Sequence, residues 1–363
     1  MFIAEDHSTL FYFKNDYPAM TTSFSSLPIV DLAVLSVTEP SSEDLLRLSQ
    51  ELHDAFATTG FAYLINAPLS FTHKEVFGLA RAFFSMDTSQ KMKLAKQIFV
   101  PANTNTYRGY FPCQPGQQDN LKEGFEIGNS GTRPEMPLVR GQKFQLHEAN
   151  VWPREEEFPD GRADLQKLHD ELQTLSSMLL SLLAVSLDKP WDFFSDYLVD
   201  SLSTLRLLHY PPQPKHPSSY ETKLCCTPHT DSGILTLLHQ DPTGGLEVLN
   251  ANQQWVPAPY VPGSIVVNIG DLMAEVSGGR FVATMHRVRA SNVGSNEGGI
   301  GRLSVPFFFE PGESCIVKSV DGGEGILYGE HVRRKMGTWV EFQDVKDDQS
   351  AAESKSMVSV EAY

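Results

Sequence analysis

The chain is poor in cysteine. It has four cysteines in 363 residues, Cys113, Cys225, Cys226 and Cys315, and their spacing does not repeat. A disulfide-stapled fold would need a denser and more regular set, and a bridge between the adjacent residues Cys225 and Cys226 would be strained. Few cysteines therefore favour a reducing compartment, and we expect a cytoplasmic protein.

Basic residues and long apolar runs are also scarce. The first 26 residues contain no apolar run long enough for a signal peptide or a membrane helix. The 29 basic and 45 acidic residues give a formal net charge of -16. Such a charge repels phosphate backbones and anionic lipid surfaces, so we expect neither nucleic acid nor a membrane as a partner. An anionic small molecule would need a local cationic pocket.

The hydrophobic fraction of 41% is enough for a full core. Composition and periodicity divide the chain into five segments. These are a flexible N-terminal extension (1–26), an N-terminal α/β region (27–155), a helical connector (156–200), a core of short strands (201–345) and a polar tail expected to be disordered (346–363).

Three segments have the periodicity of helices. Residues 41–60 begin with the capping pair Ser41 and Asp44 and end at Gly60. Residues 78–96 show a second helical pattern. Residues 163–187 show a third, whose stripe we expect to pack in the core and which comprises Leu165, Leu168, Leu172, Leu175, Leu179 and Leu182.

From about residue 203 the hydrophobic period changes to two. Short alternating runs follow one another, separated by Gly, Pro and Asn turns. Many short strands in succession are typical of a jelly roll or a barrel. We therefore predict a mixed α/β fold with a mainly β core, a double-stranded β-helix (jelly roll) flanked by N-terminal and connecting helices.

The stretch HTDSGILTLLHQD, residues 229–241, contains the pattern His-x-Asp twice, as His229 with Asp231 and His239 with Asp241. On one straight strand the two pairs would lie about 33 Å apart, too far to share a metal. A non-haem ferrous site needs two imidazoles and one carboxylate. His286, on another predicted strand, is a candidate third ligand.

The run RLSVPFFF predicts an anion site. Period two places Arg302, Ser304, Pro306 and Phe308 on one face of this strand. An arginine directed into a barrel is costly unless it binds an anion, and a carboxylate fits the fork of its guanidinium.

Several motifs together resemble one family. They are LPIVDL, FAYLIN, YRGYF, KEGFEIG, PHTD, VVNIGD, MHRVRAS and RLSVPFFFEP, spread over roughly residues 27–312. They resemble the iron(II)- and 2-oxoglutarate-dependent dioxygenases of the isopenicillin N synthase-like group. The joint occurrence of H-x-D, a distal His and R-x-S is specific for this group.

The resemblance implies roles for individual residues. His229, Asp231 and His286 would be the catalytic iron ligands, and Arg302, Ser304 and Tyr210 would bind 2-oxoglutarate. Residues expected on the substrate side are Phe308 and Leu208, from strand parity, and Thr227, Tyr107 and Phe111, from the resemblance alone.

The activity implied is oxidation of an unactivated C–H bond in a small molecule. The cofactors would be Fe(II), O2 and 2-oxoglutarate, with 2-oxoglutarate converted to succinate and CO2. We expect a role in secondary metabolism and a monomer or weak homo-oligomer.

Other interpretations stay open. The same ligands could serve a 2-oxoglutarate-independent oxidase of isopenicillin N synthase type, a zinc hydrolase, or a jelly roll that only binds a ligand. For His239 and Asp241 we expect turn capping or surface exposure. Arg206 could bind a second carboxylate or be a buried structural ion, and the structural role is preferred.

Overall fold

The computed structural model describes residues 21–114, 121–129, 144–212, 224–290 and 300–336. The expected tail at 346–363 and most of the expected N-terminal extension lie outside these ranges. Residues 21–26, the end of that extension, are held on the fold. The amide of Thr22 donates to the carbonyl of Thr58 at 3.0 Å, and Asn250 Nδ2 donates to the carbonyl of Phe24 at 2.9 Å.

The described residues form fourteen strands. They are β1 Ile29–Asp31, β2 Phe61–Ile65, β3 Gly109–Phe111, β4 Glu123–Gly128, β5 Thr204–Tyr210, β6 Leu224–His229, β7 Leu235–Gln240, β8 Leu246–Leu249, β9 Trp255–Pro257, β10 Ile265–Ile269, β11 His286–Arg289, β12 Arg302–Phe309, β13 Ile316–Val317 and β14 Ile326–Leu327.

Twelve of these strands build two larger sheets. The major sheet has the spatial order β1-β2-β10-β7-β12-β5-β4-β3, and the minor sheet has the order β6-β11-β8-β9. All pairs within them are antiparallel except β1 with β2. The mixed α/β fold with a jelly-roll core is therefore confirmed. The N-terminal strands β1–β4 extend the major sheet.

Alternation along the strands separates an inner from an outer face of the major sheet. On β12, Leu303, Val305 and Phe307 join the large apolar cluster that includes the helices. A second buried cluster combines residues of both sheets, such as Tyr210 of β5 and Val288 of β11. It forms the interior of the jelly roll, the side to which period two assigns Arg302 and Ser304.

Six α-helices are described, and the longer ones pack on the outer face. They are α1 Ser42–Thr58, α2 His73–Phe84, α3 Thr88–Met92, α4 Gly161–Ser186, α5 Asp271–Val276 and α6 Tyr328–Met336. Within the described ranges no helix is long and apolar enough to cross a membrane. The Ser41 hydroxyl accepts a hydrogen bond from the amide of Asp44, which confirms the predicted start of α1.

The prediction of one helix over 78–96 is wrong. The helix begins earlier, at His73, where Thr72 and Glu75 form a capping box. It ends at Phe84, and Asp87 then caps the separate helix α3 together with Gln90. The aspartate competes for the backbone amides and starts a new helix instead of continuing the old one.

The leucine stripe of α4 is confirmed as core. The six leucines predicted to share a face are at most 1% exposed. Burying each one stabilises the fold by roughly 1.5–3 kcal/mol. The buried hydroxyl of Ser49 donates to the carbonyl of Leu182 at 2.7 Å, which fixes α1 against α4.

The two His-x-Asp pairs do not lie on one straight strand. His229 ends β6 in the minor sheet, whereas His239 lies on β7 in the major sheet. The expected surface exposure is wrong, because His239 and Asp241 are 1% and 3% exposed. The turn-capping role of Asp241 is confirmed, since Oδ1 accepts from the amide of Thr243 at 2.9 Å and Oδ2 from that of Leu303 at 2.7 Å.

Candidate active site

Three side chains meet at the end of the minor sheet. His229 is the last residue of β6, His286 is the first of β11, and the register pairs them across the two strands. Asp231 Oδ1 lies 3.8 Å from Nε2 of each histidine. One donor atom from each of the three lies within 4.8 Å of the others, so a single cation can bind all of them.

Backbone carbonyls orient both imidazoles. Nδ1 of His229 lies 2.8 Å from the carbonyl oxygen of Thr227, and Nδ1 of His286 lies 3.2 Å from that of Thr284. A carbonyl oxygen can only accept, so Nδ1 carries the proton in each ring. In the neutral imidazole this leaves the lone pair on Nε2, the nitrogen that faces Asp231.

Two donors fix the carboxylate. Oδ2 of Asp231 accepts from the hydroxyl of Thr236 at 2.6 Å and from Nδ2 of Asn268 at 2.8 Å. Burial alone would raise the pKa of Asp231, but the two histidines and these hydrogen bonds outweigh it and hold the pKa below the ordinary value. Oδ1 is thereby directed at the imidazoles as a charged ligand.

The histidines differ in their pKa. Burial lowers the pKa of His229, but the neighbouring Cys226 and Asp231 outweigh it and raise the pKa to about 9. Burial and the charge of His229 lower the pKa of His286 to about 4. A cation bound between the rings would displace the proton from His229. Two neutral imidazoles and one carboxylate are a donor set that fits Fe(II).

Arg302 lies in the interior of the jelly roll and is 5% exposed. Its Nε donates to the carbonyl of Gly244 at 2.8 Å and its Nη1 to the hydroxyl of Ser304 at 3.2 Å. Its guanidinium carbon lies 4.7 Å from the ring centroid of Tyr210, the residue opposite it on β5. Among the described residues no Asp or Glu forms an ion pair with Arg302. A buried cation with this environment fits a carboxylate.

A cavity of about 440 Å³ opens beside the metal ligands, and His229 and Asp231 are part of its wall. Three of the residues expected on the substrate side, Phe308, Thr227 and Tyr107, also line it.

The other two expected substrate residues, Leu208 and Phe111, belong to the apolar cluster between the sheets, and the described lining of the cavity does not include them. Arg302, Ser304 and Tyr210 lie outside this lining as well. Cys226 belongs both to the cavity wall and to the inner cluster. The predicted residues are therefore divided between the cavity and the interior next to it.

Charged residues in the cavity wall were missed by sequence reasoning. They include Glu126 of β4, Lys122, Lys335 of α6 and Glu310. Alternation could have indicated Glu310, because it continues the parity of Arg302, Ser304 and Phe308. The other three come from segments whose position relative to the metal site has no local signal.

A jelly roll with a His-Asp-His cluster at one end and a buried arginine in its interior defines a mononuclear non-haem metal enzyme. Residues 201–311 match the profile of the 2OG-Fe(II) oxygenase superfamily. Residues 27–155 match the N-terminal region described for the non-haem dioxygenase in morphine synthesis. Together these matches cover well over half of the chain.

Individual relatives agree with the profiles. A 2-oxoglutarate-dependent dioxygenase of Didymella fabae is 33% identical over 307 residues, 81% of this chain and 88% of the relative. Homoarginine-6-hydroxylase of Oryza sativa subsp. japonica is 30% identical over 342 residues, 88% of this chain and 99% of the relative. Full-length Neurospora crassa T7H, solved with alpha-KG and 5-formyluracil, has a TM-score of 0.72 at 25% identity, covering 89% of this chain and all of that one.

The chain belongs to the 2OG-Fe(II) oxygenase superfamily. It is an Fe(II)- and 2-oxoglutarate-dependent dioxygenase, an oxidoreductase that uses O2 as its oxidant.

Proposed function

We propose that this enzyme oxidises an unactivated C–H bond of a small molecule bound in the 440 Å³ cavity. His229, Asp231 and His286 would hold Fe(II), and Arg302, Ser304 and Tyr210 would bind the distal carboxylate of 2-oxoglutarate. When bound, the iron supplies the oxidising chemistry, coupled to decarboxylation of 2-oxoglutarate to succinate. Secondary metabolism is the proposed setting, and the proposed location is the cytoplasm.

The protein side chains have positioning roles in this proposal. The carbonyls of Thr227 and Thr284 keep the Nε2 lone pairs of both histidines available, and Thr236 and Asn268 keep Asp231 in place. The ring of Tyr210 covers the guanidinium of Arg302 and keeps water from one face of it.

The observation that carries the proposal is Arg302. It is a buried cation with no acidic ion-pair partner among the described residues, and its neighbour Tyr210 belongs to the same buried cluster as Cys226, which also lines the cavity. Isolated buried charges are strongly unfavourable. A dicarboxylate that binds the metal at one end and Arg302 at the other would remove this cost.

An anaerobic titration tests these roles. The apoprotein is titrated first with Fe(II) and then with 2-oxoglutarate, and the weak visible charge-transfer band of the chelate is recorded. We expect the band to form at saturating 2-oxoglutarate. Succinate production under O2 with a substrate panel would then identify the molecule that is oxidised.

Two variants separate the roles. Arg302→Gln should bind Fe(II) normally but weaken 2-oxoglutarate binding, because the distal carboxylate loses its charged partner. Asp231→Ala should lose iron binding. The matched control is Arg287→Gln, which alters an arginine paired with Glu247 outside the described cavity lining. Unchanged 2-oxoglutarate affinity in Arg302→Gln would refute the proposed role of Arg302. If the wild type binds iron but shows no charge-transfer band with 2-oxoglutarate, the 2-oxoglutarate-independent oxidase is favoured.

A further inference from the structure

Glu310 lies in the cavity wall, and the proposed binding of iron and 2-oxoglutarate gives its carboxyl no role. It directly follows β12 and lines the cavity together with Phe308 of that strand. Its backbone is held on both sides, because its amide donates to Oγ of Ser203 at 3.1 Å and its carbonyl accepts from Oγ of Ser201 at 2.7 Å. The residue is 4% exposed. Its position in the wall is therefore well defined.

Glu310 packs against the loop that carries a metal ligand. The amide of Ile234 donates to the carbonyl of Phe309 at 3.0 Å, which joins this loop to the end of β12. A Cβ placed on Gly233, two residues after Asp231, would lie 3.2 Å from Cγ of Glu310 and 3.7 Å from its Oε1. The glycine thus leaves room for the carboxyl beside the loop. A substrate group bound to Glu310 would therefore lie close to the metal ligands.

The two glutamates of the described cavity lining, Glu126 and Glu310, differ in their partners. Glu126 forms ion pairs with Lys96 and Arg206, in agreement with the structural role preferred for this arginine. Within the described ranges, Glu310 forms no ion pair with a lysine, an arginine or a histidine. A carboxyl that borders a cavity without an ion pair gains most from a hydrogen-bonding group that enters the cavity. Glu310 is therefore the better candidate for contact with the substrate.

The protonation of Glu310 indicates which group it can bind. Burial raises the pKa of Glu310 to about 7. Tyr328, Arg108 and Arg206 oppose this rise, and Glu126 adds to it. Both forms of the carboxyl are therefore present at neutral pH, and the ionised form only accepts hydrogen bonds whereas the protonated form also donates one. A substrate ammonium cannot accept from the protonated form, and a substrate carboxylate cannot donate to the ionised form, but a hydroxyl can do both with one oxygen atom.

We propose that Glu310 is a specificity-determining residue that contacts the substrate, and that its carboxyl forms a hydrogen bond with a hydroxyl group of the substrate. This inference rests on the proposed function, because it assigns the same cavity to the substrate. Phe308, Tyr107 and Met285 line that cavity and provide aromatic and apolar surface for the carbon skeleton of the substrate.

A matched set of probes tests the hydrogen-bonding group of the substrate. The set is 3-phenylpropan-1-ol, its methyl ether and 3-phenylpropylamine, which share one phenylpropyl group. The alcohol donates and accepts hydrogen bonds, the ether only accepts, and the ammonium group of the amine only donates. Their size suits a cavity of about 440 Å³. Binding is measured by calorimetry on the full chain loaded anaerobically with Fe(II), both with and without 2-oxoglutarate.

We expect the alcohol to bind roughly tenfold more tightly than the ether, and the amine no better than the ether, since one hydrogen bond contributes about this factor. Glu310→Met should abolish the preference, whereas Glu310→Gln should keep most of it, because an amide also donates and accepts. Glu51→Met, at an exposed position of α1, is the matched control and should keep all of it. Glu310→Leu is measured too, in case the methionine variant does not fold.

The outcomes are distinguishable. Equal binding of alcohol and ether, absence of binding by all three probes, or tighter binding of the amine would overturn the inference. A preference for the alcohol that survives in Glu310→Met or Glu310→Leu would overturn the assignment to Glu310. The charge-transfer titration with 2-oxoglutarate is recorded on every variant and should not change. Failure of that band in the wild type, with the preference for the alcohol intact, would contradict the proposed function alone.

Discussion

At the scale of single residues, the structure places ionisable groups where their charge is costly. Glu310 lies in the cavity wall and is 4% exposed, and burial raises its pKa from about 4.5 to about 7. The unfolded chain therefore loses this proton near pH 4.5, but the folded chain keeps it until near pH 7. The contribution of Glu310 to the free energy of unfolding is therefore fully present below pH 4.5 and is lost as the pH rises through 7.

Glu310→Gln should remove this pH dependence. The free energy of unfolding of the variant, relative to the wild type, should rise by roughly 3 kcal/mol between pH 4.5 and 8, since one pKa unit corresponds to about 1.4 kcal/mol. Urea unfolding at both pH values measures the difference. The exposed Glu51→Gln on α1 is the control and should follow the wild type. A constant difference between Glu310→Gln and the wild type would contradict the raised pKa.

The hydroxyl of Thr236 should be needed for tight iron binding. Thr236→Val keeps the shape of the side chain but removes the donor to Oδ2 of Asp231. Loss of such an outer partner typically weakens metal affinity about 10- to 100-fold. Competition titration of Fe(II) against a chelator measures the change. Thr174→Val on the exposed face of α4 should leave the affinity unchanged, and an unaltered affinity in Thr236→Val would show that Asn268 alone orients the carboxylate.

The sequence could predict the residues of the metal site only where their spacing along one segment determines their position. His229 and Asp231 are two residues apart, which suggests a shared metal, but His239 and Asp241 have the same spacing, and only the family resemblance distinguished the two pairs. Thr236 and Asn268 reach Asp231 from two strands of the other sheet, and nothing in their own segments indicates that contact. The donors that position a ligand depend on long-range register, which one sequence does not encode locally.

At the scale of elements, apolar periodicity identified the buried faces of the helices but not all of their ends. The leucine stripe predicted a helix over 163–187, close to the observed bounds of α4, Gly161–Ser186. The division between α2 and α3 was missed because the pattern of 78–96 continues through Ser85 and Asp87, whereas α2 ends at Phe84 and Asp87 forms a capping box with Gln90 at the start of α3. Periodicity reports which face is buried but does not report where a polar side chain interrupts the helix.

Shortening a leucine side chain in the α4 stripe should destabilise the fold. Leu172 is completely buried between the helix layer and the sheet. Leu172→Ala should lower the free energy of unfolding by about 2–5 kcal/mol, through lost burial and the cavity left behind. Leu46→Ala on α1 is the control, because Leu46 is 58% exposed. A loss in Leu172→Ala as small as that in the control would mean that the helix repacks around the missing side chain.

At the scale of the whole molecule, one sheet joins segments that are far apart in sequence. The strands β1–β4 come from residues 29–128, and they hydrogen-bond on both sides of a group of jelly-roll strands. β2 pairs with β10, and β4 pairs with β5 over six residues. The sequences of these strands do not indicate their partners, because the pairing is decided by which edges of the jelly roll remain open.

This continuity predicts that the N-terminal strands and the jelly roll unfold as one cooperative unit. β4 brings Glu126 to the cavity, where it pairs with Arg206 of β5, so loss of β4 would also break this buried ion pair. In native-state hydrogen exchange, amides of β2 and β4 should open with the same free energy, and the same denaturant dependence, as those of β10 and β5. Exposed turns such as 251–253 should exchange by local opening and serve as the internal control. If β4 opened several kcal/mol more easily than β5, the N-terminal strands would be a separately folding layer, and the cavity wall that carries Glu126 would form only after the metal site.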